Sequence, residues 1–267
     1  MTSAETPERH AMSFLSSSEL PIALPEPGEA FAQDEEWCVA RIDGEWEELR
    51  FHDYDRLYEV EGLYERLFYD ILRCSSPAKV RALLESELRR AGAEPEGLRA
   101  LDLGAGNGIM GEELMALGVD AVVGVDIIPE AAEAARRDRP DVYEDYRVVD
   151  MTDLAPEDRE ILRSYDVNCL TCVAALGFGD IPPRAFAEAF NLVDEGGWVA
   201  FNIKEDFLNG RDRSGFSRLI ERSIDRGCFE MRVQERYPHR LATNGQPLHY
   251  VAMVGNKRKD IRDRLLA

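Results

Sequence analysis

Three acidic residues in this chain stand at regular intervals behind short apolar runs. Asp102 follows RAL, Asp126 follows AVVGV, and Asp150 follows YRVV. Behind the first comes Gly104-Ala105-Gly106-Asn107-Gly108. Glycines after a strand allow a sharp turn into a helix and a close approach of the backbone to a ligand. A carboxylate at the end of a strand can accept hydrogen bonds from both hydroxyls of a vicinal diol, such as that of a ribose. Asp126 is placed for that role, and Asp150, followed by Met151, for the edge of the attached base. Any one of these features would suit an ordinary turn or a solvated strand end. Acids at three successive strand ends with a glycine loop behind the first point to one ligand crevice.

Around them, short apolar runs alternate with amphipathic stretches from residue 99 onward. RALDLGAG, DAVVGVD, YRVVD, YDVNCLTCV and GGWVAFNIK read as strands. GIMGEELMALG, PEAAEAARRD, PRAFAEAFNLV and SGFSRLIERSIDRG read as helices. Such alternation predicts right-handed crossovers and a doubly wound α/β fold, with a mostly parallel, seven-stranded sheet. In such sheets ligands lie beyond the carboxyl ends of the strands, where strand order reverses. The last two runs, FEMRVQERY and LHYVAMVGNKR, have no helix between them and carry Asn244-Gly245 in their connection. They are expected to close the sheet as an antiparallel hairpin.

The N-terminal part reads differently. Residues 1–35 are rich in Ser, Pro, Glu and Ala without periodicity, so a loosely packed or disordered arm is expected. Asp43-Gly44 between two extended runs predicts a hairpin. Leu63, Leu67, Phe68, Ile71 and Leu72 recur at helical spacing, with Gly62 as a break, and Gly92 ends the next helix. The expected organisation is an arm (1–35), an N-terminal hairpin and helices forming a cap on the acceptor side (36–94), and a cofactor-binding domain (95–267).

Composition narrows the partners. With 32 basic and 52 acidic residues the net charge is −20. A body this acidic repels a phosphate backbone, so nucleic acid is not an expected partner. No apolar run approaches the ~18–20 residues of a membrane helix. The N-terminus lacks a basic segment followed by an apolar one, and a cytoplasmic location is the expectation. The five cysteines are scattered and odd in number, which implies no disulfide framework. Cys169 and Cys172 form a lone C-x-x-C inside an apolar run, with no second pair or His to complete a zinc site, so no metal is expected.

LDLGAGNG, GVDI and VVDM resemble the first three motifs of the class I S-adenosylmethionine-dependent methyltransferases. That family's loop is an acid followed by x-G-x-G-x-G, matched by Asp102, Gly104, Gly106 and Gly108. The resemblance covers about residues 95–257, closing hairpin included. The segment LGFGDIPPRAFAEAFNLVDEGGWVAFNIK is similar to small-molecule and uncharacterised members. The resemblance implies S-adenosylmethionine as cofactor and S-adenosylhomocysteine as product. It implies that Asp102 and the backbone of Gly104, Ala105 and Gly106 hold the methionine end. Asp126 would take the ribose hydroxyls, Ile127 would pack on the adenine, and Asp150 and Met151 would meet its amino edge. Thr171, near the end of the fourth strand, would border the sulfonium.

Methyl transfer from a sulfonium is an in-line displacement driven by proximity and alignment, so no fixed triad is required. Acceptor-side candidates are Tyr58 and Tyr64 from the aromatic segment His52–Tyr69, and Lys204, beside Asn202 and Glu205, after the fifth strand. His239 and His249 around the hairpin are possible bases. The fourth strand, NCLTCVAALGFGD, lacks the N-P-P-Y type pattern of enzymes acting on planar amides or amino groups. The acceptor is therefore expected to be a small molecule, with a protein as second choice. Two other readings compete. One is an NAD-dependent oxidoreductase, because Gly106, Gly108 and Gly111 match G-x-G-x-x-G with Asp126 about 20 residues on. The other is a cofactor-binding regulatory protein without turnover.

Overall fold

The computed structural model describes residues 12–15, 20–26, 31–208 and 214–265. The chain divides into two compact units, 1–75 with 238–248, and 76–237 with 249–267.

The first unit holds a four-stranded sheet in the order β1 (Met12–Leu15), β2 (Ile22–Pro25), β3 (Trp37–Ile42), β4 (Glu45–Arg50). Asp43 and Gly44 both take positive φ (51° and 89°) in the turn between β3 and β4. That is the hairpin turn whose twist matches its strands. The expectation of a loose arm over 1–35 needs correction within the described residues. The run Ile22-Ala23-Leu24 between two prolines pairs with β3 and is buried. Four residues are too few to show a period, which is why the strand was not legible. After β4 come α1 (Tyr54–Glu59), α2 (Leu63–Glu65) and a π-helical turn, Arg66–Ile71, with Gly62 at φ 75° as the break. Leu57, Leu63 and Leu67 are fully buried against the sheet's apolar face.

The second unit begins with α3 (Ser76–Ala91), ended by Gly92 at φ 66°. Sequence periodicity placed this helix with the N-terminal segment. Its Val80, Leu84 and Leu88 instead pack with the core of the large sheet. There follow β5 (Arg99–Leu103), α4 (Ile109–Leu117), β6 (Ala121–Asp126), α5 (Pro129–Asp138), β7 (Asp145–Val148) and α6 (Pro156–Ser164). Then come β8 (Cys169–Leu176), α7 (Pro183–Leu192), β9 (Trp198–Lys204), α8 (Phe216–Asp225), β10 (Phe229–Leu241) and β11 (Pro247–Lys257), residues 238–248 of the last two strands and their turn counting with the first unit. The helix α6 was not expected: of its nine residues only Ile161 and Leu162 are large and apolar, and only Leu162 is buried.

The sheet order is β10-β11-β9-β8-β5-β6-β7. β5 to β9 pair in parallel and β11 runs antiparallel to β9. This is the expected doubly wound architecture with its closing hairpin. Order reverses between β5 and β8, so the crevice opens at the carboxyl ends of those two strands. Strand alternation separates the two cysteines of C-x-x-C. Cys172 lies in the core on one face and Cys169 in the core on the other, because residues three apart on a strand point oppositely. Burial pushes the Cys169 thiol up to about 12 and Cys172 well above its ordinary value. Neither is poised as a nucleophile or ligand.

Candidate functional site

One row of residues crosses the middle of the large sheet. Pairing sets Asp102 opposite Thr171 on one side and Gly124 on the other, and Gly124 opposite Tyr146. Gly124 leaves the room that a side chain would fill. A Cβ there would lie 2.8 Å from the Tyr146 ring and 3.0 Å from that of Tyr143. The Tyr143 ring reaches across it, and its hydroxyl donates to Asp102 Oδ2 at 2.9 Å. Thr171 Oγ1 donates to Asp102 Oδ1 at 2.8 Å. Tyr146 donates to the Gly106 carbonyl at 2.8 Å. The two tyrosines thus brace the glycine loop from below. Sequence reading missed both, although a glycine inside a buried strand signals a close approach of this kind.

Gly111 belongs to the same arrangement. A Cβ on it would stand 2.7 Å from the Tyr143 hydroxyl and from Val142. The third glycine of the formal G-x-G-x-x-G match therefore serves a tyrosine that holds Asp102. This accounts for the match without a dinucleotide.

Asp102 lies behind the loop, only 1% exposed. Burial raises its carboxyl to about 6, and the nearby charge of Asp126 adds to the rise, against the two hydrogen bonds. The folded state holds this proton more tightly than the unfolded chain, where the value is 3.8. Stability from this group is therefore full below about pH 4, declines as pH rises to about 6, and is level above that. Asp102→Asn cannot ionise. Its stability relative to the wild type should fall by up to about 3 kcal/mol between pH 7 and pH 4, measured by denaturant unfolding at each pH. A pH-independent difference would show that Asp102 titrates normally.

The crevice side is built by Asp126. Its Oδ2 accepts the Gly106 N–H at 2.9 Å and its Oδ1 the Ile128 N–H at 3.1 Å. Burial raises its carboxyl above the usual range, opposed by those backbone donors. An ionised carboxylate has about four lone-pair sites, and the backbone donors do not occupy all of them. Ile127 follows, 57% exposed, and Val148 on the adjoining strand is 41% exposed. Both are uncovered apolar side chains at neighbouring strand ends, beside Asp126. Gly104 (φ 70°) and Gly106 (φ 54°) are left-handed, and the Gly104 and Ala105 N–H groups are tied to the Val125 carbonyl.

Other expected site residues are placed differently. Thr171 is fully buried in mid-strand, because β8 continues to Leu176, so it supports Asp102 and does not border a ligand. The Met151 side chain is in the core. Asp150 is exposed and lies two residues beyond β7, its Oδ1 accepting from the Thr152 N–H and hydroxyl. Asn202 is fully buried. Glu205 is paired with Arg236. Lys204 Nζ stands 3.0 Å from Asp206 and 5.3 Å over the Phe178 ring, which meets Phe207 edge-on. The Tyr58 and Tyr64 rings lie tilted at 40° with centroids 4.8 Å apart in the first unit's aromatic cluster. His239 is buried, and burial with the Arg240 charge holds its imidazole neutral, which disfavours it as a base exposed to substrate. Among the described residues no cluster of His, Cys, Asp or Glu could hold a metal ion, and no helix is long and apolar enough to cross a membrane.

Comparison with known proteins bears on this arrangement. Residues 101–201 match the model of a family described as a methyltransferase domain. The chain is 34% identical over 174 residues to the ubiquinone biosynthesis O-methyltransferase of Burkholderia ambifaria, covering 62% of this chain and 70% of that one. The chain belongs to the class I S-adenosylmethionine-dependent methyltransferases. The namesake proteins of Thiobacillus denitrificans and Bordetella avium are 31% and 33% identical over 40% and 47% of this chain. There the match spans less than half of each relative, 44% and 48%. Among solved structures, magnesium protoporphyrin IX methyltransferase from Synechocystis superposes with a TM-score of 0.50 at 13% identity, covering 77% of this chain and 97% of that one. A methyltransferase from Clostridium acetobutylicum gives 0.50 at 12%, covering 73% and 96%. These two likenesses concern the fold alone. S-adenosylmethionine is the cofactor of the family. The donor set fits it: a strand-end carboxylate for a ribose, exposed apolar side chains beside it for adenine, and a left-handed glycine loop.

Proposed function

We propose that the protein transfers a methyl group from S-adenosylmethionine to a hydroxyl of a small-molecule acceptor. The observation that carries this reading is Asp126, a strand-end carboxylate pinned by the Gly106 and Ile128 N–H groups, with Ile127 uncovered beside it. Asp126 takes the ribose diol, Ile127 and Val148 pack on the adenine, and the Asp150 carboxylate with the Met151 backbone meets the adenine's amino edge. The Gly104, Ala105 and Gly106 N–H groups are already engaged by Val125 and Asp126, so the loop would receive the methionine ammonium through its carbonyl groups, with the Asp102 carboxyl behind it. When bound, the cofactor supplies an activated methyl on a sulfonium.

The chain's own contribution is alignment and desolvation. At the ends of β8 and β9, Phe178 and Phe207 form an aromatic corner with the Lys204 ammonium over one ring. Such a corner suits an aromatic acceptor bearing a hydroxyl: the rings stack on it and the ammonium favours the developing phenolate. The acceptor oxygen takes the methyl and releases its proton to solvent. The name of the Burkholderia relative, an O-methyltransferase, supports the choice of oxygen. The net charge of −20 disfavours a nucleic-acid acceptor.

Incubation with S-adenosylmethionine and a panel of phenols and catechols, read by mass spectrometry, tests the proposal. A methyl added to a phenolic oxygen is the expected product. Methylation confined to nitrogen or carbon acceptors would overturn the oxygen assignment, and cofactor binding without transfer to any acceptor class would favour the regulatory reading.

A further inference from the structure

Past Cys172 the fourth parallel-type strand, β8, breaks its register with β9, and regular pairing resumes only at Leu176. Within the break Ala174 takes φ 59°. A glycine would adopt that left-handed conformation freely, whereas an alanine is strained in it. The strain has an evident support. The Ala174 N–H donates to Asn202 Oδ1 at 2.6 Å. Asn202 is fully buried, and its Nδ2 donates to Ser76 Oγ at 2.9 Å and to the Tyr237 hydroxyl at 2.6 Å. Those two hydroxyls are themselves 2.6 Å apart. Each polar atom of the carboxamide is engaged, and all four residues lie in the second unit.

The bend has a place in the crevice. Ala175, the next residue, closes on the glycine loop: a Cβ on Gly104 would lie 2.8 Å from the Ala175 Cβ. The segment then returns through a bridge between Leu176 and Ile181, whose Cδ1 would lie 2.7 Å from the same point. The position of the β8 end relative to the loop is thus set at Ala174, and Ala174 is held by Asn202. A buried polar network of this kind gives no net stability over a well-packed apolar core. What it adds is a fixed geometry, and strained residues held by their surroundings concentrate at ligand sites.

We propose that Asn202 is a positioning residue. By holding Ala174 in its left-handed bend, it fixes the wall that β8 presents to the glycine loop, and that wall governs discrimination between S-adenosylmethionine and S-adenosylhomocysteine. The inference rests on the cofactor reading above. The two ligands differ by one methyl and one charge, so a small shift of the wall changes their relative affinity.

The test is the ratio of their dissociation constants, measured by calorimetry alongside thermal stability. Ser76→Ala removes one partner of the Asn202 amide and leaves its Oδ1 on the Ala174 N–H without adding a charge, so its ratio should stay near that of the wild type. Asn202→Leu removes the acceptor and should lower the melting temperature and shift the ratio by about fivefold to tenfold. The double variant Asn202→Leu/Ala174→Gly lets the left-handed bend form without strain, so it should regain both stability and the wild-type ratio. An unchanged ratio in Asn202→Leu, or a ratio that stays shifted in the double variant although stability returns, would overturn the inference. Failure of the wild-type protein to bind either ligand would overturn the cofactor reading itself, an outcome visible before any variant is made.

Discussion

Asp126→Ala should weaken S-adenosylmethionine binding by about tenfold to a hundredfold while leaving the protein folded. The expectation follows from what the carboxylate does. Its two oxygens already orient the glycine loop through the Gly106 N–H and the start of α5 through the Ile128 N–H. The ribose diol would be held by the lone pairs that remain. Hydrogen bonds to a charged group contribute about 1.5–3 kcal/mol, and every 1.4 kcal/mol is about tenfold in affinity. Gly106 is buried, so its N–H loses its acceptor in the variant; a stability loss of about 1–3 kcal/mol should accompany the loss of binding, and affinity is compared on the folded variant. Asp126→Asn should be intermediate, since its amide still offers one oxygen. Calorimetry on the folded variants decides the matter. An unchanged dissociation constant for Asp126→Ala would remove this residue from the cofactor site.

The second large effect concerns stability. Arg240→Ala should destabilise the first unit by about 3–5 kcal/mol, the range expected when one partner of a buried ion pair is removed. Arg240 and Glu36 meet at 2.5 Å with side chains 3% and 1% exposed. Glu36 also accepts the Thr243 N–H at 2.6 Å, and the Arg240 guanidinium lies over the rings of Phe51 and Phe68. Without Arg240, Glu36 is left charged in an apolar core. Replacing both, as in Glu36→Gln with Arg240→Met, should restore most of the loss, because the pair's own net contribution is small once its desolvation is counted. Denaturant unfolding of the single and double variants measures both numbers. A single-variant loss under about 1 kcal/mol would mean that water reaches Glu36.

How much of this was legible in the sequence depends on whether a feature is local. The Asp43-Gly44 hairpin, the helix stop at Gly92 and the loop at Gly104 to Gly108 each follow from one or two residues whose backbone needs are specific, and each is found in the structure. The mostly parallel sheet with its closing hairpin follows from alternation of strand and helix patterns and the handedness of crossovers, whereas the order of its strands depends on long-range pairing. Asp126 could be placed because a strand end is a local event. Thr171 could not, because the point at which β8 ends depends on its bulge, and the bulge depends on Asn202 from another strand. Tyr143 and Tyr146 were hidden for the same reason: their partners, Asp102 and Gly106, lie about 40 residues away in sequence. Gly124 was the visible half of that contact. The strand β2 and the helix α6 were missed because one is too short and the other too charged to display a period.

Calorimetric titration of the wild-type protein with S-adenosylmethionine, S-adenosylhomocysteine and NAD tests the central claim most directly. Saturable one-to-one binding of the first two, with no heat from NAD, is the predicted result. Binding of NAD alone would contradict the reading of the glycine loop and of Asp126, and would return Gly106, Gly108 and Gly111 to a dinucleotide.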